Sequence, residues 1–113
     1  MIRLDKNAEN RKAASPLSAP DVLAEVHRIV TKVLGRHVAV YLFGSWARGQ
    51  ATRASDIDIA IQPSRPLPPG ALAELREQLE ESHIPYRVEV VDLTEVAPSF
   101  RNRVLQEGIP WNV

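Results

Sequence analysis

Asp56 and Asp58 stand one residue apart in the stretch SDIDIAIQP, whose isoleucines and alanine mark it for burial. Residues two apart on a strand point the same way, with α-carbons about 7 Å apart. Like charges held that close repel unless something positive sits between them, and a divalent metal ion is the candidate. Taken singly, each aspartate reads as the solvated face of an edge strand or as an Asx-type turn. A third carboxylate changes that reading, because two divalent ions about 4 Å apart, bridged by carboxylates, are a common apparatus for phosphoryl and nucleotidyl transfer. The segment YRVEVVDL offers two candidates, Glu89 and Asp92. Glu89 shares a strand face with Arg87 and Val91, and Asp92 shares one with Val88 and Val90, so only one of them can face the aspartates; periodicity does not choose between them. Upstream, Gly44 and Ser45 follow the apolar run HVAVYLF directly. If SWARG forms one helical turn, the backbone N–H groups of Gly44, Ser45 and Trp46 point outward as an anion site, to which the Ser45 hydroxyl adds a donor.

These groups need elements to carry them. The chain has 113 residues, 44% of them hydrophobic, enough for one domain and too few for two ordinary ones. Lys and Arg total 14, as do Asp and Glu, and this balance argues against broad electrostatic attachment to nucleic acid or to an anionic membrane. With no cysteine there is neither a disulfide framework nor a thiolate zinc site. The opening MIRLDKNAENRK lacks the apolar core of a signal peptide, and no apolar run reaches bilayer length, so a soluble cytoplasmic protein is expected.

Residues 1–17 are polar, mixed in charge and without periodicity, and are read as a flexible tail ahead of a domain over 18–113. A first helix is predicted from Ser18 as N-cap to Gly35 as C-terminal cap, with Pro20 in its first turn and Leu23, Val26, Val30, Val33 and Leu34 along one face. His27 lies at the edge of that face and is assigned packing. HVAVYLFG reads as a buried strand, SDIDIAIQP as a second and IPYRVEVVDL as a third. A helix over Ala71 to His83 carries Leu72, Leu75 and Leu79, and a last one over Ser99 to Gln106 turns Phe100, Val104 and Leu105 inward, with Gly108 as its cap. Strands alternating with helices predict an α/β or α+β domain with a small mixed sheet.

GSWARGQATRASDID resembles the signature of the minimal nucleotidyltransferases, the small branch of the DNA polymerase β-like superfamily, in which Gly-Ser precedes Asp-x-Asp at a fixed interval. Trp46 to Ser55 fill that interval, and Ala47, Arg48, Gly49, Ser55 and Ile57 match the usual surroundings. IPYRVEVVDL is similar to the family's third-acid strand, in a register that puts Glu89 at the third catalytic carboxylate and Asp92 at a less direct acid. The resemblance runs from about Pro20 to the C-terminus and implies a polymerase β palm-like fold. It implies that Asp56 and Asp58 hold Mg²⁺ against the triphosphate of ATP in a two-metal site, while Gly44 and Ser45 bind the phosphates. Glu89 would ligate the metal nearer the acceptor and draw the proton from its hydroxyl. Glu89 stands where Asp is usual, one methylene longer. Arg48 and Arg53 could neutralise phosphate charge, and Trp46 is assigned to packing over adenine stacking.

Larger relatives add a domain to hold their acceptor, for which this chain has no length, so the resemblance implies an acceptor on another chain. Proteins of this kind resemble antitoxins that transfer AMP to a tyrosine of a HEPN-type ribonuclease toxin. Two alternatives belong to other classes: a module that silences its partner by contact alone, and a transferase acting on a small molecule held across a homodimer interface.

Overall fold

Alternating and helical apolar patterns become strands and helices where a sheet can bury them from both sides. The computed structural model describes residues 19–111, so the tail expected over 1–17 and the Ser18 cap lie outside the described residues. Among the described residues the order is α1 (Ala19–Leu34), β1 (Val38–Phe43), β2 (Ile57–Pro63), α2 (Ala71–Glu80), β3 (Val88–Asp92), α3 (Pro98–Glu107) and β4 (Ile109–Pro110). The sheet runs β3-β2-β1-β4. β1 pairs antiparallel with β2 and β4, and β2 pairs parallel with β3 through the α2 crossover, so the sheet is mixed as expected.

β2 is one of the two inner strands. Its odd residues Ile57, Ile59 and Ile61 are fully buried in one core with Val22, Val26, Ile29 and Val30 of α1 and Leu75 and Leu79 of α2. Its even residue Ala60 belongs to the opposite face, buried with Leu93 and Val104 beneath Tyr41, Phe43, Val91 and Phe100. Asp58 lies on that second face, one step along the strand from Ala60.

Several local features differ from the sequence reading, each for a packing reason. The α1 seam is centred on Val22, Val26, Ile29 and Val30, with Leu23 and Val33 at its margins. Its stripe is wide because α1 meets both α2 and the sheet. Helix α2 ends at Glu80, short of His83: the Ser82 hydroxyl donates to the Leu79 carbonyl at 2.6 Å and accepts from the Ile84 N–H, which diverts the chain from the helix. Leu105 does not turn inward and is 38% exposed, whereas Phe100 and Val104 pack against the sheet. Gly108 closes α3 through its N–H to the Val104 carbonyl at 2.7 Å, in extended conformation, and a β-carbon there would press on that same carbonyl. The chain can therefore run straight on into β4, a two-residue edge strand that the sequence reading lacked. Among the described residues no helix is long and apolar enough to cross a membrane.

Candidate active site

The turn from Gly44 to Gln50 spends its later amides internally: Ala47 and Arg48 donate to the Gly44 carbonyl at 3.1 and 3.2 Å, and Gln50 donates to Ser45 at 2.9 Å. This is the single helical turn expected. The amides of Ser45 and Trp46 have no hydrogen-bond partner among the described residues, leaving two donors together at the end of β1. Gly44 has φ +77, and a β-carbon on it would fall onto Asp58 Oδ2. The Gly-Ser turn therefore lies directly against the second aspartate.

Strand register decides which acid of β3 shares a face with Asp58. Asp58 is paired with Phe43 on one side and with Glu89 on the other. Residues opposite one another in a sheet point to the same face, so Glu89 stands beside Asp58 on the face that carries Ala60 and Val91. Asp56 precedes β2, and the Ile57 N–H donates to the Arg87 carbonyl at 2.8 Å, which extends the β3 pairing to that point. Asp92 lies three residues further along β3, opposite Ile61, and its Oδ1 accepts from the Thr94 N–H and hydroxyl at 2.9 and 2.7 Å. It holds an Asx-type turn away from the aspartates.

The electrostatics are those of an anionic face. Burial first, then the charges of Asp56 and Glu89, push the Asp58 carboxyl above the ordinary carboxylate range, while Arg48 pulls it back. Arg48 is exposed, with its Nε 3.2 Å from Gln50 Oε1. Arg53 is exposed on the loop before β2 and makes no hydrogen bond or ion pair among the described residues. Trp46 packs into the α1–α2 core and meets Tyr86 edge to face, with ring centroids 5.0 Å apart; its buried indole N–H has no partner. Trp46 is thus a packing residue that joins the turn to the segment leading into β3.

One residue near the acids had no role in the sequence reading. The Arg87 guanidinium is 2.6 Å from Glu89 Oε2. Its signal was visible, since Arg87 lies two residues before Glu89 and must share its face. Clustered carboxylate oxygens that repel one another are the donor set that a hard divalent cation takes, and Asp56 and Asp58 fit it. Among the described residues, however, no three Asp, Glu, His or Cys side chains gather as a metal centre. Glu89 is turned to Arg87.

Residues 29–110 match the polymerase beta nucleotidyltransferase family. A protein of Haemophilus influenzae (strain ATCC 51907 / DSM 11121 / KW20 / Rd), named as a probable protein adenylyltransferase, MntA, is 36% identical over 84 residues, covering 72% of this chain and 74% of that one. A crystal structure of a toxin–antitoxin with AMP-PNP superposes with TM-score 0.66 at 28% identity, covering 80% of this chain and 73% of that one. A tri-AMPylated Shewanella oneidensis HEPN toxin in complex with MNT antitoxin shares the fold, with TM-score 0.60 at 24% identity over 81% of this chain and 71% of that one. The matched stretch 29–110 contains the Gly-Ser turn, the paired aspartates and Glu89, and it spans most of the sequence: the chain belongs to the polymerase β nucleotidyltransferase family.

Proposed function

We infer that this chain transfers AMP from ATP to a hydroxyl of a partner protein, a HEPN-type toxin, and acts as its antitoxin in the cytoplasm. The observation that carries the reading is the register that sets Glu89 beside Asp58, next to the free amides of the Gly-Ser turn. Its support from relatives is the 36% identity to a protein named as an adenylyltransferase.

The Ser45 and Trp46 amides and the Ser45 hydroxyl would hold phosphate oxygens, with Arg48 supplying positive charge from the rim. Asp56 and Asp58 would hold Mg²⁺, which when bound neutralises the phosphates and lowers the pKa of a coordinated hydroxyl. Glu89 takes the proton of the acceptor hydroxyl. The hydroxyl oxygen forms its bond to the α-phosphorus, the bond from that phosphorus to the bridging oxygen breaks, and pyrophosphate leaves with the electron pair. The acceptor approaches over the sheet face that carries the three acids, beyond the part covered by Phe100 and Val104.

The Arg87–Glu89 pair favours a second reading, a module that silences its partner by contact, because it occupies the acid that the reaction needs. Co-expression of an Asp56→Asn/Asp58→Asn variant with the cognate partner separates the two. Enzymatic neutralisation predicts that partner activity returns and that intact mass shows no added AMP. Continued neutralisation without added mass would establish contact inhibition instead.

A further inference from the structure

Arg87 poses a question that its ion pair with Glu89 does not answer as a matter of stability. The side chains of the pair are 74% and 41% exposed, and exposed pairs contribute little to folding. Its position is more informative. Glu89 lies on β3, at the outer edge of the sheet, and Arg87 immediately precedes that strand; two residues apart in extended chain, they share one face. Glu89 is level with Asp58, and the hydrogen bond from Ile57 to the Arg87 carbonyl sets Arg87 level with Asp56. A guanidinium thus sits on the flank of the acidic face and draws the Glu89 carboxylate along β3, where a shared cation would draw it across to Asp58. That accounts for two aspartates and a glutamate on one face without a three-carboxylate centre.

Building on the proposed reaction, the geometry points to Arg87 as a positioning residue, an internal counter-ion that competes with a divalent cation for Glu89. The two contacts compete, because the carboxylate that Arg87 draws along the strand through Oε2 is the one that a cation beside Asp58 would draw across the sheet. Arg87 therefore weakens cation binding in the absence of nucleotide. The effect is small by construction: an exposed pair is worth at most about 1 kcal/mol, or about fivefold in affinity. Since Arg87 is largely exposed, replacing it leaves the core untouched.

The test is titration of the full chain with Mn²⁺ alone, followed by calorimetry and by the loss of free-ion paramagnetic signal. Arg87→Gln is expected to bind Mn²⁺ about two- to fivefold more tightly than wild type, and Arg87→Lys to return affinity toward wild type. Glu89→Gln should abolish the gain, so that Arg87→Gln/Glu89→Gln binds no more tightly than Glu89→Gln. An Arg87→Gln affinity equal to or below wild type, or a gain that persists without the Glu89 carboxylate, overturns the proposal. If either occurs while Asp56→Asn/Asp58→Asn abolishes Mn²⁺ binding, the metal site stands and Arg87 is merely a surface residue. If wild type and the double aspartate variant both fail to bind Mn²⁺, the metal reading and this inference fall together.

Discussion

Gly44→Ala tests how closely the Gly-Ser turn is fitted to Asp58. At φ +77 an L-residue incurs roughly 1–2 kcal/mol of backbone strain, offset by about 0.4–1 kcal/mol because alanine has less freedom than glycine to lose from the unfolded chain. The new β-carbon would also fall onto Asp58 Oδ2, with the Asp58 Cγ at 3.2 Å, so the carboxylate must leave its rotamer at a further cost of about 1–2 kcal/mol. The expected loss is about 2–3 kcal/mol. Gly49 supplies the control: it has φ +70 on the same turn, and nothing lies within 4 Å of a β-carbon there. Gly49→Ala carries the backbone strain alone and should cost about 1 kcal/mol. Urea denaturation followed by tryptophan fluorescence measures both. In an Asp58→Ala background the cost of Gly44→Ala should fall to that of Gly49→Ala, a coupling of about 1–2 kcal/mol. Equal costs for the two glycines in the wild-type background, or no change on removing the Asp58 carboxylate, would refute the argument that the turn is seated on Asp58.

Three other outcomes are expected. Burial and two neighbouring carboxylates raise the Asp58 pKa, so the folded state binds this proton before the unfolded chain does; the ionised form costs stability above the raised value, and the cost is relieved as pH falls through it toward the ordinary range. Metal-free Asp58→Asn should therefore have a higher denaturation midpoint than wild type near pH 7, with the advantage gone below about pH 4, and a constant difference across that window would contradict it. Phe100→Ala removes a ring 5.9 Å from that of Phe43 and should cost about 2–3 kcal/mol by thermal or chemical denaturation. Leu105→Ser, on the exposed side of the same helix, should stay within about 0.5 kcal/mol. If the proposed reaction holds, Glu89→Asp, the acid that the sequence resemblance leads one to expect there, should preserve or raise AMP transfer as read by partner mass, and complete loss would mean that the site is built around the longer side chain.

What could be read without the fold is what depends on neighbours along the chain. The Asp56–Asp58 spacing, the Gly-Ser turn after an apolar run, the alternation of strands and helices and the helical leucines are local patterns, set by side-chain periods of two and about 3.6. They carry the family resemblance, and hence the expected mixed sheet, because each motif is contiguous. What the fold alone decided depends on segments far apart in sequence. Whether Glu89 or Asp92 faces the aspartates is a question of β2–β3 register, and a slip of one residue would have reversed every side chain on β3. Leu105 lies outside and Val22 inside because a helix with more apolar residues than one stripe can hold is rotated by whatever it packs against. Gly108 is required for close approach to the Val104 carbonyl, and no pattern around it distinguishes that from an ordinary helix cap. Arg87 shares a face with Glu89 by periodicity, yet the 2.6 Å contact between them is a choice of side-chain conformation, made in the folded chain and carried by no sequence pattern.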